Sequence, residues 1–332
     1  MRIAIDAMGG DFAPRAVVAG AVQAARSLPG IDAIILVGDE LAIRRELQMF
    51  KRVPAAIEIR HASEVVGMNE APAQAIRRKK DSSISRAVDL VREGKAQAII
   101  SAGNTGAVMV AATLKLRTLR GVERPAIATV MPGPYKPFVL IDAGANTDCP
   151  PRLLLQFAVM GHVYANRILG QADPVIGLMR VGAEDSKGNE ITRDAFRRLS
   201  ESKLNFKGNI EGHDLYLGGV DVAVCDGFVG NVILKTSEGL ARVFGTWIKQ
   251  EFRSNPARWL GYLWLLGALR SMKRQLDPEA YGGAPLLGVN GVCIISHGSS
   301  SERAIFQAIR VARDAVNNQI NDFIISALGG AL

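Results

Sequence analysis

The chain has 332 residues, 48% of them hydrophobic and 22% charged, which is enough for an ample core in one large domain or two smaller ones. Lysine and arginine number 40 against 32 aspartate and glutamate residues, and the formal net charge of +8 favours an acidic partner, a phosphorylated ligand or an anionic membrane surface. Aromatic residues make up only 6% of the chain and no nucleic-acid-binding motif occurs, so nucleic acid is not an expected partner.

Short apolar runs alternate with segments of helical spacing along the whole chain. We predict strands at 2–6, 32–37, 56–60, 97–101, 126–131, 137–142, 174–179, 220–225 and 291–296. We predict helices at 14–27, 40–50, 83–93, 105–118, 152–169, 192–202, 230–250 and 300–327. This alternation predicts an α/β fold, a mainly parallel wound sheet with helices on both faces, formed by a single domain over residues 1–332.

The number of cysteines and the first residues of the chain indicate the cellular compartment. Three cysteines, an odd number, argue against a disulfide framework. Cys225 and Cys293 lie in apolar runs typical of core residues, and Cys149 has no convincing base near it in the sequence. The chain starts with the pattern of a strand and a turn, unlike a signal peptide, so we expect a cytoplasmic protein.

Five predicted strands end in loops that combine glycine with polar side chains. These candidate ligand-binding residues are Asp6, Gly9 and Gly10; Ser101, Gly103, Asn104 and Thr105; Asp142 and Asn146; Asp226, Gly227 and Gly230; and His297 with Ser299. Ligands of parallel sheets bind outside the carboxyl ends of the strands, so we expect these loops to share one cleft. Glycine lets the backbone approach a ligand, and the start of a helix favours an anion, so the pattern indicates a phosphate site.

An apolar segment at 247–278 interrupts the alternation. Its central run, 259–269, is almost wholly apolar, has basic residues on both sides, and is far too short to cross the roughly 30 Å of a bilayer core. Two interpretations stay open: a helix buried against a second subunit, or a helix lying in a membrane surface.

A series of motifs in fixed order gives a resemblance to a known family. The motifs are DAMGGD at 6–11, EAP at 70–72 followed by RRKK at 77–80, SAGNTG at 101–106, DAGAN at 142–146, NIEG at 209–212, CDGFVGN at 225–231, YGGAPLLG at 281–288 and HGSS at 297–300. Together they closely resemble the bacterial phosphate acyltransferases of phospholipid synthesis, over essentially the whole chain.

The resemblance implies transfer of a long-chain fatty acyl group from acyl carrier protein to inorganic phosphate, giving an acyl phosphate that feeds glycerol-3-phosphate acylation. It implies a fold similar to isocitrate and isopropylmalate dehydrogenases and to phosphate acetyltransferase, with protruding helices. It also implies a homodimer that touches the inner face of the cell membrane and possibly the glycerol-3-phosphate acyltransferase. Lys187 and Asn231 match positions that the resemblance associates with catalysis.

Acyl transfer from a thioester to phosphate needs hydrogen-bond donors and does not need a metal or a nucleotide. Asn231 could polarise the thioester carbonyl or hold phosphate, and Lys187 could supply a cation to the oxyanion or a proton to the leaving sulfur. The histidines lack metal-ligand spacing, so no metal and no cofactor are expected. The basic run 77–80 is a candidate docking site for acidic acyl carrier protein.

Two rival functions fit parts of the sequence pattern. A nicotinamide-dependent dehydrogenase shares the fold class, but the first turn lacks the G-x-G-x-x-G pattern that opens into a helix. A non-catalytic membrane or scaffold protein would explain the tryptophan-rich segment 247–278, but it leaves the five polar strand ends without a role.

Overall fold

In the computed structural model, residues 1–180, 190–275 and 281–331 are described. The strands are β1 (Arg2–Asp6), β2 (Ala33–Gly38), β3 (Ile57–His61), β4 (Ala98–Ser101), β5 (Ala126–Met131), β6 (Phe138–Ile141), β7 (Ile176–Met179), β8 (Phe206–Ile210), β9 (Val222–Val224), β10 (Ala284–Leu287) and β11 (Val292–Ile295). The helices are α1 (Arg15–Ser27), α2 (Glu40–Leu47), α3 (Pro72–Arg78), α4 (Ser83–Arg92), α5 (Thr105–Leu116), α6 (Pro151–Arg167), α7 (Glu190–Glu201), α8 (Gly227–Arg253), α9 (Pro256–Gln275), α10 (Glu302–Asn317) and α11 (Ile320–Ala331).

All of these strands belong to one sheet, in the order β3-β2-β1-β4-β11-β10-β5-β6-β9-β7-β8. The strands β1, β2, β4 and β11 are fully or almost fully buried apolar runs, as expected where helices cover both faces of a parallel sheet. One large apolar core lies on one face, and two smaller ones lie on the other. The predicted fold class is therefore confirmed, while the single domain over residues 1–332 stays a prediction.

The direction of the strands changes in the middle of the sheet. Strand β10 runs antiparallel to both β11 and β5, and β5 runs antiparallel to β6. As a result β6, β9, β7 and β8 run opposite to β1, β4 and β11. The expectation that all five glycine-containing strand ends meet at one edge is wrong, because these two sets of strands end at opposite edges of the sheet.

Several element boundaries also differ from the sequence prediction. Strands β8 and β10 and helix α3 were not predicted, because each is short and lies in or beside a polar or glycine-containing motif. The predicted helix 300–327 is two helices, interrupted where Gln319 has a φ of 49°. The predicted helix 230–250 begins earlier, at Gly227. Helix α4 is capped at its start, since the Ser82 hydroxyl accepts a hydrogen bond from the Ser85 amide.

Helix α9 and the exposed second half of α8 form a hairpin that stands away from the sheet. Their inner contact includes the rings of Phe252 and Tyr262, 5.3 Å apart. Large apolar side chains along the hairpin are exposed, among them Phe244, Trp247 and Trp264, the last of them 91% exposed. Within the described residues, none of the helices is both long and apolar enough to span a bilayer. The hairpin therefore offers an apolar surface without a membrane-crossing segment.

Candidate functional site

The structure brings the predicted site residues together in two groups. The first group, at the ends of β1, β4 and β11, contains Asp6, Gly9, Gly10, Ser101, Gly103, Asn104, Thr105, His297 and Ser299. The second group, at the ends of β6 and β9 on the opposite edge, contains Asp142, Asn146, Asp226, Gly227, Gly230 and Asn231. In each group, a polar atom whose hydrogen bonds are already made within the protein is not available to a ligand.

Asp6 is the centre of the first group. Its carboxylate is fully buried and accepts hydrogen bonds from the Ser101 hydroxyl at 2.7 Å and the Met8 amide at 3.1 Å. Burial raises the pKa of Asp6, while hydrogen bonds from Ser83 and Ser101 act in the opposite direction. Gly9 lies so close that an added Cβ would come 2.4 Å from a carboxylate oxygen of Asp6. Asp6 therefore joins β1 to β4 rather than facing a ligand.

Asn104 has a similar internal role. Its side-chain oxygen accepts a hydrogen bond from the Ala107 amide and so caps α5. Its side-chain nitrogen donates to the carbonyl oxygens of Gly67, Met68 and Glu70, between 3.0 and 3.2 Å away. The amide is thus fully used in holding the loop 67–70 against the start of α5.

The outer part of the first group is more open. Thr105, His297 and Ser299 are exposed, and the His297 imidazole lies 2.7 Å from the Ser299 hydroxyl. The backbone of Gly10, with a φ of 101°, passes close to the Gly298 carbonyl. These three exposed side chains are the part of the first group that a ligand can reach.

In the second group, the carboxylate of Asp142 organises the loop 142–146. It accepts hydrogen bonds from the backbone amides of Ile127, Gly144, Ala145 and Asn146, and from the Asn146 side chain, all between 2.7 and 3.1 Å. The carboxylate is fully buried, and burial raises the pKa of Asp142 against these hydrogen bonds. The sequence pattern suggested that the backbone amides of this loop bind phosphate. In the structure they already donate hydrogen bonds to the Asp142 carboxylate.

The start of α8 is also satisfied internally. Asp226 is its N-cap and accepts from the Val229 amide at 2.9 Å, while the Gly227 amide donates to the Asn146 carbonyl at 2.6 Å. The expectation that this helix start presents free amides to an anion is not supported, because two of its leading donors already have partners. Asn231 lies one turn into α8 and does not begin it, which corrects the sequence-based placement.

Asn231 differs from the other polar residues of its group. Its side chain is exposed, and among the residues that the structure describes its amide forms no hydrogen bond. It lies beside Gly144, where an added Cβ would come 3.7 Å from the Asn231 Cβ and the φ of 138° disfavours any larger residue. An uncommitted amide next to an open glycine can donate to a bound carbonyl or phosphate oxygen.

Strand β7 precedes the segment that contains Lys187, the other predicted catalytic residue. It runs parallel to β9 as its neighbour, so both strands end at the edge that carries Asn231. Lys187 itself, eight residues after Met179, lies outside the described residues. Its predicted catalytic role therefore stays a prediction.

Comparison with known proteins decides the family. A family model described as fatty acid synthesis protein matches residues 1–322. The chain is 50% identical to a phosphate acyltransferase of Pelobacter propionicus over 99% of its own length and 94% of that relative. It is 51% identical to a phosphate acyltransferase of Pelotomaculum thermopropionicum over 99% of its own length and 95% of that relative. The chain belongs to this family.

Membership of the fatty acid synthesis protein family makes the chain an enzyme of the acyltransferase class. Both rival interpretations, a nicotinamide-dependent dehydrogenase and a non-catalytic scaffold, are thereby set aside. The resemblance seen in the ordered motifs of the sequence is confirmed.

Solved structures show the same fold. A phosphotransacetylase from Streptococcus pyogenes matches 96% of this chain and 94% of its own, with a TM-score of 0.64 and 18% identity. A 4-hydroxythreonine-4-phosphate dehydrogenase from Klebsiella pneumoniae matches 97% of this chain and 99% of its own, with a TM-score of 0.53 and 14% identity. The fold of the family is thus shared by transacylases and dehydrogenases.

Cysteine chemistry does not account for this family's activity in the present chain. Cys149 lies beside the loop 142–146, but burial, together with the nearby carboxylates of Asp142 and Asp226, raises its pKa to about 12. A thiol with that pKa is protonated at neutral pH and is a poor nucleophile.

The sequence reasoning missed two polar residues at the edge that carries Asn231. Arg180 follows β7 directly, is only 8% exposed, and its amide donates to the Ile210 carbonyl. The amide group of Asn209, on the neighbouring strand β8, is buried and lacks a hydrogen-bond partner within the described residues. The position of Arg180 one residue beyond a predicted strand was the available signal for a buried charge at this edge.

Proposed function

We propose that this chain transfers a long-chain fatty acyl group from acyl carrier protein to inorganic phosphate. A phosphate oxygen attacks the thioester carbonyl carbon, the carbon–sulfur bond breaks, and the products are acyl phosphate and the carrier protein thiol, which takes up a proton. The observation that carries the proposal is the exposed, uncommitted amide of Asn231 beside Gly144, in a chain whose family members are phosphate acyltransferases.

Asn231, the loop 142–146 and Lys187 have different roles in the proposed reaction. The Asn231 amide donates a hydrogen bond to the carbonyl oxygen as negative charge develops on it, which stabilises the transition state more than the bound substrate. Asp142 and Asn146 hold the loop on which Gly144 lies, so they position the site without touching the reacting atoms. Lys187, in the segment after β7, supplies a positive charge to the oxyanion or a proton to the departing sulfur.

A direct assay tests the proposal. The full-length protein is incubated with palmitoyl acyl carrier protein and phosphate, and acyl phosphate is trapped with hydroxylamine as the hydroxamate. We expect hydroxamate only when phosphate and the acyl carrier thioester are both present. Release of free palmitate that does not depend on phosphate would instead show a thioesterase and would contradict the proposal.

The basic run 77–80 supports docking of the acidic carrier protein, with one correction to the sequence interpretation. Arg77 and Arg78 are exposed, whereas the Lys79 ammonium is committed to the Glu70 carboxylate at 2.5 Å and to the Val65 carbonyl at 2.7 Å. Arg77, Arg78 and the exposed Lys80 are therefore available for electrostatic docking, whereas Lys79 is not suitable for testing it.

Reversing both charges, Arg77→Glu with Arg78→Glu, is expected to raise the KM for palmitoyl acyl carrier protein about tenfold at low salt, with kcat unchanged. The difference from the unaltered protein should shrink as salt screens the charges. Arg45→Glu, an exposed arginine on α2, is the control and should leave KM unchanged. An equal KM in the double variant and the control at low salt would exclude docking at this run.

The α8–α9 hairpin supports two further expectations of the family resemblance, a homodimer and peripheral contact with the cell membrane. Its exposed apolar side chains need cover from a second copy of the chain or from lipid. Light scattering of the protein with and without anionic vesicles separates these occupants. A monomer that ignores vesicles would contradict both.

A further inference from the structure

On one face of the sheet, the two central strands lie between two helices and carry half-buried side chains. On the face that carries α5 and α8, α5 packs over β11 and α8 packs over β6, and the strands β10 and β5 lie between them. Thr129 of β5 and Ala284 of β10 point to this face and are only half-buried, although their strands lie at the centre of the sheet. The gap between the two helices is therefore a groove with a floor of strand residues.

The walls of this groove are apolar. Met109 and Val110 of α5 and Leu234 of α8 are half-buried and pack against the same apolar core, which includes Ile127 and Leu286 from the floor. Leu234 also packs against the apolar core of the β6–β9 half, so it reaches both halves of the molecule. We call the surface formed by Met109, Val110, Thr129, Leu234 and Ala284 the central groove.

The central groove begins next to Asn231. Leu234 follows Asn231 by three residues, which is about 4.5 Å along the axis of α8. Ala145, in the loop that holds Gly144 beside Asn231, packs against the apolar core under the groove. From Ile127 to Met131 the strand β5 continues for about 13 Å away from this end. An apolar path therefore runs from the proposed reaction centre across the middle of the sheet.

The floor also contains one polar atom that nothing satisfies. The hydroxyl oxygen of Thr129 is buried and lacks a hydrogen-bond partner in the part of the chain that the structure describes. The other members of the central groove carry no polar side-chain atoms, which favours a hydrocarbon occupant.

We propose that the central groove holds the hydrocarbon chain of the acyl substrate and sets the preference for its length. This inference rests on the proposed acyl transfer at Asn231. A thioester whose carbonyl lies at Asn231 must lead its alkyl chain away from water, and the groove is the apolar surface that continues from that point. Each sheltered methylene then improves kcat/KM about fourfold, which corresponds to about 0.8 kcal/mol.

The substitution Ala284→Leu tests this by filling the floor. With palmitoyl and octanoyl acyl carrier protein as alternative substrates, kcat/KM for palmitoyl transfer should fall at least about tenfold, as expected if two or more methylenes lose their shelter. Octanoyl transfer should change less than about twofold, because a short chain ends before the obstruction. Ala55→Leu, the same change at an exposed loop position, is the control and should leave both rates unaltered.

The ratio of the palmitoyl and octanoyl transfer rates decides whether the groove holds the acyl chain. If Ala284→Leu folds, by an unchanged thermal unfolding midpoint, and lowers both rates equally or neither, the groove does not hold the chain. If that variant does not fold, Met109→Trp on the wall of the groove is measured by the same criterion. If the unaltered protein forms acyl phosphate from neither substrate, the proposed function itself is wrong, which is a different result from an active enzyme with an unchanged length preference.

Discussion

Replacing Asn231 with alanine is expected to lower kcat for acyl phosphate formation about a hundredfold to a thousandfold, the usual cost of removing one oxyanion donor. The amide is exposed and forms no hydrogen bond among the described residues, so its removal costs the fold little. Because the donor acts mainly as charge develops in the transition state, the KM values for phosphate and for the thioester should change much less than kcat. Steady-state rates of hydroxamate formation, with the thermal unfolding midpoint as a check on the fold, provide the measurement.

Two other variants show whether the loss of rate is specific to the proposed site. Asn317→Ala, the same change at an exposed position of α10, should leave both rate and stability unaltered. Lys187→Ala should fold normally and lose most of its turnover if the segment after β7 supplies the predicted cation. Near-normal rates in both Asn231→Ala and Lys187→Ala would remove the catalytic assignment of these residues.

The strands that hold the site were the most predictable part of the chain. β1, β4 and β11 are short runs of buried apolar residues followed by glycine loops, and such runs carry their own signal because both faces are covered. The direction of the central strands was not predictable. β10 is a four-residue strand inside the motif YGGAPLLG, and its antiparallel pairing with β5 depends on a partner far away in the sequence. The antiparallel pairing of β5 with β6 then separates the predicted cleft into two groups.

The role of each polar residue was harder to predict than its position. Asp142, Asn146 and Asn104 occur in glycine loops just as Asn231 does, and nothing in their spacing distinguishes them. The structure shows that Asp142 binds backbone groups of its own loop and that Asn104 binds carbonyls of the loop 67–70, whereas Asn231 projects from the second turn of α8. A short polar side chain can satisfy either a ligand or its own backbone, and only the folded geometry decides between them.

The two groups are nonetheless related through the central groove. Its floor crosses β10 and β5, which lie between the strands of the first group and the strands of the second group. Asn231 lies near one end of the groove, and α5, whose first residue is Thr105, forms the opposite wall. A substrate with a small reactive head and a long apolar chain suits such an arrangement better than a compact anion does.

Replacing Gly230 with alanine is expected to reduce the free energy of unfolding by at least about 3 kcal/mol, the upper end of the usual cost of overpacking. An added Cβ would come 1.8 Å from the Asp142 carbonyl oxygen and 2.9 Å from its carbonyl carbon. These are backbone atoms of the loop that Asp142 itself holds in place, so they cannot turn away as a flexible side chain would. Helix α8 would have to shift from the end of β6, and Asn231, the next residue, would move with it.

Gly239→Ala is the matched control, because it makes the same change in the same helix where an added Cβ would meet no atom within 4 Å. Alanine favours a helix over glycine, so this variant should gain up to about 1 kcal/mol. Equilibrium unfolding in urea measures both variants, and equal m-values would show that the midpoints report stability alone. If Gly230→Ala were as stable as Gly239→Ala, the close approach of α8 to the Asp142 carbonyl would be wrong, and the position of Asn231 derived from it would be wrong as well. A large loss at Gly230 with a gain at Gly239 would instead show that tight contact with the loop 142–146 fixes the start of α8, and with it the donor of the proposed site.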